Sequence, residues 1–236
     1  GKPMEERHIT FECQGERLVG ALHEPGGRAR GGLVFLHGWA GYRTGTHRMA
    51  VALAREACRR GFAVLRFDFR GRGDSDGATF AATLSTMIED ARRAAEVLRA
   101  EVGVESLAFV GDCSGCEVAI GAGDRTPGLR AMVLWSAPIV GGPRKAADAA
   151  KRRAVVGAYL RKLLSAATWR KALSGGVRWD MVRRALSRGG KGAGEEGAAS
   201  DADIDWHARF LAFGGQRLFI FGGADPVTPA CVEAYK

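Results

Sequence analysis

The stretch Ser106-Leu107-Ala108-Phe109-Val110-Gly111-Asp112-Cys113-Ser114-Gly115-Cys116-Glu117-Val118-Ala119-Ile120 sets the fold. Ser106–Val110 is a short apolar run, the mark of a strand buried on both faces. Gly115–Ala122 reads as a helix. Between them, Gly111-Asp112-Cys113-Ser114-Gly115 has the spacing of a sharp strand-to-helix turn that presents a nucleophile, G-x-S-x-G with Cys in place of Ser. The turn is tight, so the residues two before and two after the nucleophile must be small. Gly111 and Gly115 meet that demand only if Cys113 is central. Centring on Ser114 would put Asp112 and Cys116 at the crowded positions, which argues against Ser114 as the nucleophile. A thiol at Cys113 sits at a helix N-terminus, where the dipole favours thiolate. The bland alternative is a small buried residue beside a turn.

Outward from this turn the chain alternates strand-like and helix-like segments. His8–Gln14 and Arg17–Glu24 read as an antiparallel hairpin around Gln14-Gly15-Glu16. Gly32–Leu36 reads as a buried strand. Thr46–Arg60 reads as a helix that Gly61 ends. Phe62–Phe69 is the next strand, followed by a loop rich in Gly and Asp. Thr79–Glu101 is a long helix with Leu84, Met87, Ile88, Ala91, Ala95 and Leu98 on one face. Ala131–Trp135 and Leu218–Phe221 are later strands. The alternation implies an α/β fold with a mostly parallel sheet covered on both faces.

The pattern breaks between Val140 and Gln216. Lys151–Ser174 looks helical and basic, and Gly189–Ala199 is rich in Gly and Ala. The reading is a core of residues 1–139 and 217–236 with a helical lid, 140–216, inserted before the strand that leads to Asp225. The net charge of +9 on 236 residues belongs to that insertion: Gly141 to Lys191 holds 14 Lys/Arg against 2 Asp/Glu. Such a segment suits an anionic substrate, a peripheral contact with a membrane surface, or simply a solvated helix face. Trp169 and Trp179 sit at spacing that suits packing better than base stacking, so nucleic acid is not expected.

Five cysteines (Cys13, Cys58, Cys113, Cys116, Cys231) and the lack of an apolar leader argue against a secreted disulfide framework. The five histidines are scattered, without metal-ligand spacing. The expectation is a cytoplasmic protein with no metal and no cofactor.

Two further segments deliver chemistry to the carboxyl ends of strands, where ligands bind in open parallel sheets. Leu36-His37-Gly38-Trp39-Ala40-Gly41 follows a buried strand. The backbone N–H groups of Trp39 and Ser114 are placed by chain order to hold a developing oxyanion. His37 reads as a brace for that loop rather than as a base. Asp225, in Phe221-Gly222-Gly223-Ala224-Asp225-Pro226, is positioned to orient a catalytic histidine; the alternative is a turn or helix-cap aspartate before Pro226.

Together these segments resemble the α/β-hydrolase superfamily. Asp68-Phe69-Arg70-Gly71-Arg72-Gly73-Asp74-Ser75 adds a match to the D-x-R-G-x-G-x-S loop common in those proteins, where the serine is structural. A narrower resemblance runs through Lys151-Arg152-Arg153, Tyr159–Ser165 and Trp169–Gly175. It is similar to the lid of the exosortase-system-associated hydrolases (type 1), bacterial proteins that also place Cys at the elbow. Asp112 and Ser114 depart from the G-L-C-D-G pattern of that group. The resemblance implies a hydrolase of an ester, thioester or related acyl bond, with Cys113 as nucleophile and a small-molecule or acyl substrate.

A triad of this kind runs nucleophile, acid, histidine. No histidine follows Asp225. The expectation is a catalytic histidine beyond Lys236, roughly 25–30 residues past Asp225. His207 precedes Asp225, in the wrong chain order. Two other readings stay open. Cys113-Ser114-Gly115-Cys116 is also a C-x-x-C at a helix start, a thiol-redox signal. The chain is also compatible with a non-catalytic binding module of hydrolase fold.

Overall fold

The computed structural model describes residues 3–79, 81–138, 204–223 and 228–235. Strands β1 (Glu5–Cys13) and β2 (Glu16–Glu24) form an antiparallel hairpin paired from Glu5↔Glu24 to Cys13↔Glu16. Its turn residues Gln14 (φ 52°) and Gly15 (φ 85°) are both left-handed. That geometry matches the right-handed twist of the flanking strands.

Five parallel strands continue the sheet: β3 (Gly32–Leu36), β4 (Ala63–Phe67), β5 (Leu107–Asp112), β6 (Leu129–Trp135) and β7 (Gln216–Ile220). The order is β1-β2-β4-β3-β5-β6-β7, with β2 antiparallel to β4. Alternation along β3 divides the core. Val34 and Leu36 face one hydrophobic cluster, while Phe35 packs with Ala50 and Val110 on the other face. Helix α1 (Met49–Arg59) covers the second face. Helices α2 (Leu84–Val102) and α3 (Ser114–Gly123) cover the first.

Two helices begin later than the apolar periodicity predicts. The α2 start is set by Thr83, whose Oγ1 accepts from Thr86 N–H at 3.1 Å while Thr86 Oγ1 accepts from Thr83 N–H at 2.9 Å. This reciprocal cap satisfies donors that the helix itself cannot. The α1 start is displaced because His47 (φ 51°) and Arg48 (φ 62°) are left-handed, so Thr46–Arg48 is a 3₁₀ turn.

Of the segment 140–216, read as one insertion, only 204–216 is described. It contains helix α4 (Trp206–Ala212), capped by Asp205, which accepts from Ala208 N–H at 2.9 Å. Arg209 pairs with Asp124, the residue just past the end of α3, at 2.7 Å. This part therefore packs on the core and leads directly into β7, and the core begins earlier than residue 217. The remainder of the expected lid lies outside the described residues. Helix α5 (Thr228–Ala234) follows.

The hairpin is tied to β4 by a buried polar cluster. Arg66, 3 % exposed, donates from Nε to His23 Nε2 at 2.9 Å, to the Arg43 carbonyl at 2.9 Å and to Glu6 at 3.1 Å. Burial and the Arg66 charge push the His23 pKa down to about 4. Among the described residues, no helix is long and apolar enough to cross a membrane, and no cluster of side chains has the make-up of a metal site.

Candidate active site

Strands β3 and β5 are adjacent and parallel, with Leu36 paired to Gly111. The segments that follow them, 37–45 and 113–114, therefore emerge side by side. This pairing brings together residues 75 positions apart: Trp39 N–H donates to Ser114 Oγ at 2.6 Å.

Cys113 stands between β5 and α3 with φ 54° and ψ −120°, and its side chain is exposed. The other four cysteines are buried. A non-glycine residue at such backbone angles is strained, and strain of this kind collects at functional turns. The glycine spacing has a steric cause. A Cβ on Gly115 would lie 2.0 Å from the Leu36 carbonyl oxygen, and one on Gly111 would lie 2.6 Å from that of Gly115. Gly38 is also a point of close approach, since a Cβ there would lie 3.3 Å from the Cys113 Cβ.

The candidate oxyanion donors meet as predicted by chain order, with one difference. Ser114 is the first residue of α3, so its N–H has no intrahelical partner. The Trp39 N–H, by contrast, is engaged by the Ser114 hydroxyl. Sequence reading considered only the backbone of Ser114. Its side chain was missed because nothing local marks a partner in another loop.

Arg72 was missed for the same reason. Its Nε donates to the Trp39 carbonyl at 2.8 Å, and its guanidinium lies 5.0 Å from the centre of the Trp39 ring. It also donates to the carbonyls of Gly71 and Thr79. The position between Gly71 and Gly73 was the only available signal.

His37 is 1 % exposed and both ring nitrogens are used. Nδ1 pairs with the Gly38 carbonyl at 2.8 Å, and Nε2 accepts from Phe69 N–H at 3.3 Å. Those bonds require the neutral ring with the proton on Nδ1. Burial lowers its pKa, which favours the same state. His37 thus joins the loop after β3 to the loop after β4 and has no nitrogen left for a base.

Asp68 is fully buried and accepts from Arg43 N–H at 2.6 Å, from the Arg43 guanidinium, and from Asp74 N–H at 3.0 Å. Ser75 Oγ donates to the Asp68 carbonyl at 2.6 Å and accepts from Val19 N–H at 2.9 Å. That hydroxyl is committed to structure.

Asp225 lies outside the described residues. His207 is exposed on α4, which meets α3 near Asp124, the end remote from Cys113. Cys116 does not face the opening. Its thiol donates to the carbonyls of Gly111 at 3.2 Å and Trp135 at 3.3 Å. Burial first, then the charges of Asp112 and Cys113, push its pKa up. Such a thiol is a poor partner for disulfide exchange. Burial also raises the Asp112 carboxyl.

The order of the strands, a strained turn after β5 and an adjoining loop after β3 form the α/β-hydrolase fold. Residues 27–188 match the family model Hydrolase_4, described as serine aminopeptidase, S33. The chain belongs to this family. Its described name is that of a serine enzyme, whereas the residue at the turn of this chain is Cys113. No curated protein matches the chain. Among solved structures, an esterase of Pyrococcus furiosus is similar with a TM-score of 0.66 and 17% identity, over 98% of this chain and 76% of that one. The α/β hydrolase GrgF of Penicillium sp. sh18 aligns with a TM-score of 0.59 and 15% identity, over 98% and 95%. Est1E of Butyrivibrio proteoclasticus, solved with ferulic acid bound, aligns with a TM-score of 0.51 and 22% identity, over 55% and 52%. At these identities the likeness is one of fold.

Proposed function

We propose that this hydrolase-family chain cleaves an ester, thioester or related acyl bond with Cys113 as nucleophile. The observation that supports the reading is the backbone of Cys113: a left-handed, exposed thiol between β5 and α3, flanked by two glycines that have no room for a Cβ. The thiolate adds to the acyl carbon, the carbonyl electron pair moves to oxygen, and the donors of Trp39 and Ser114 hold that oxygen. Collapse expels the leaving group and leaves a thioester, which water then hydrolyses. In this reading Asp225 orients a histidine that follows it in chain order and activates both the thiol and the water.

The same reading makes this a bacterial, cytoplasmic enzyme of the exosortase-associated type, with the basic segment 140–203 selecting an acyl substrate that is anionic or presented at a membrane surface. The segments that carry that resemblance lie outside the described residues. A gene neighbourhood without exosortase or exopolysaccharide genes would remove this assignment. The nucleophile is tested by assaying short-chain aryl esters with the parent protein and Cys113→Ala. Loss of turnover in the variant is expected, and equal turnover by both overturns it.

A further inference from the structure

We propose that the Ser114 side-chain hydroxyl is itself an oxyanion donor, standing between Trp39 N–H and the carbonyl oxygen of the acyl group. This rests on Cys113 being the nucleophile. A hydroxyl offers one proton and two lone pairs. One lone pair of Ser114 Oγ is taken by Trp39 N–H at 2.6 Å. Its proton has no acceptor among the described residues, although Ser114 is only 9 % exposed. A buried hydroxyl with an unspent proton is uncommon, because leaving it unmade costs free energy. The hydroxyl is bounded by the loop that passes Cys113: a Cβ on Gly38 would lie 3.9 Å from Ser114 Oγ and 3.3 Å from Cys113 Cβ. An acyl oxygen formed by attack from Cys113 arises beside the next residue in the chain.

The direction of the Trp39 bond matters. Accepting from Trp39 N–H withdraws electron density from Oγ and strengthens the hydrogen bond its own proton can donate. Trp39 is held for this purpose from its other end, where Arg72 donates to the Trp39 carbonyl at 2.8 Å. Trp39 is then a positioning residue, acting through Ser114, while Ser114 contributes both its N–H and its O–H to the oxygen. The Ser114 proton is shared in a hydrogen bond and stays on Ser114. The only covalent changes are the new S–C bond and the departure of the leaving group.

The test uses two reactions of one thiol. p-Nitrophenyl acetate acylates Cys113 through a tetrahedral oxyanion: the S–C bond forms, p-nitrophenolate leaves, and intact mass reports the acetyl group. Iodoacetamide alkylates the same sulfur with loss of iodide and builds no oxyanion. Exposure of Cys113 alone among the five cysteines makes both reactions selective. Ser114→Ala should slow acylation about tenfold or more, toward the loss seen when an oxyanion donor is removed. Alkylation should stay within about twofold of the parent, and Ser114→Thr, which keeps the hydroxyl, should recover most of the acylation rate. Acylation of Ser114→Ala at the parental rate, or an equal fall in both reactions, overturns the proposal. Acetylation of Cys113→Ala as fast as the parent overturns instead the nucleophile reading beneath it.

Discussion

Arg72 holds Trp39 at two places: its Nε donates to the Trp39 carbonyl at 2.8 Å, and its guanidinium lies 5.0 Å from the indole centre. The Trp39 peptide is thereby fixed from the carbonyl side while its N–H points to Ser114. Arg72→Ala should free that peptide to rotate. The expected outcome is a fall of about tenfold in kcat/KM on an aryl ester, roughly 1.4 kcal/mol of transition-state stabilisation. Arg72→Lys should recover only part, because an ammonium cannot both donate along Nε and stack on the ring. A normal melting temperature with reduced kcat separates this from simple destabilisation.

The glycines of the turn differ in kind from those on the surface. Gly115→Ala drives a Cβ to 2.0 Å from a backbone oxygen of β3, and a central strand cannot yield to relieve it. A loss of about 3 kcal/mol or more is expected. Gly27→Ala, where nothing lies within 4 Å, should be neutral. Denaturant midpoints of the two variants check the contrast, and similar midpoints would refute the steric reading.

The Arg70–Asp90 pair is the second anchor of the loop after β4. Asp90 is fully buried and accepts from the Arg70 guanidinium at 2.6 and 2.9 Å and from its N–H at 3.0 Å. Asp90→Ala leaves a guanidinium with little solvent access, and about 3–5 kcal/mol should be lost. The double variant Arg70→Met with Asp90→Leu should regain most of it, since the pair is costly to break and not to replace. Urea unfolding of the three proteins measures this; a double variant no better than Asp90→Ala contradicts it.

Acid should weaken the fold before the carboxylates titrate. His23 is fully buried, with a pKa lowered to about 4 by burial and by the Arg66 charge. Burial lowers His37 as well. Between the ordinary histidine value of about 6.5 and about 4, the unfolded chain binds protons that the folded chain does not. Stability is therefore complete above that window and falls as pH drops through it. His23 alone accounts for about 3 kcal/mol across the window. Glu6 acts later. Burial tends to raise its pKa, but the hydrogen bond from Arg55 and the charges of His23, Arg55 and Arg66 lower it on balance. Unfolding free energies measured across the window should show the slope, and His23→Gln should flatten it by about one proton. A pH-independent stability in the parent would contradict the burial of both rings.

Much of this protein was legible in its sequence because the signals are local. Short apolar runs marked the strands, since burial on both faces leaves no polar position in them. Gly111 and Gly115 marked Cys113 because the turn excludes a Cβ at those two places, and the neighbouring strand supplies the collision. The loop Asp68–Ser75 was recognisable as structural, and its buried carboxylate and serine are indeed consumed by backbone partners. Element starts were less legible. Thr83 moved the start of α2, and two left-handed residues moved that of α1, because capping and backbone angle override apolar periodicity at helix ends.

What the sequence by itself determined is the order of elements and the residue at the centre of the turn. Tertiary structure alone decided what surrounds it. The register of β3 against β5 sets Trp39 beside Ser114. The loop after β4 brings Arg72 under the indole and spends both nitrogens of His37. These partners lie tens of residues apart in the chain, so no local spacing encodes them. Cys113 is visible from the sequence because its constraint is steric and local; its surroundings are visible only in the fold, because hydrogen bonds depend on which strands become neighbours.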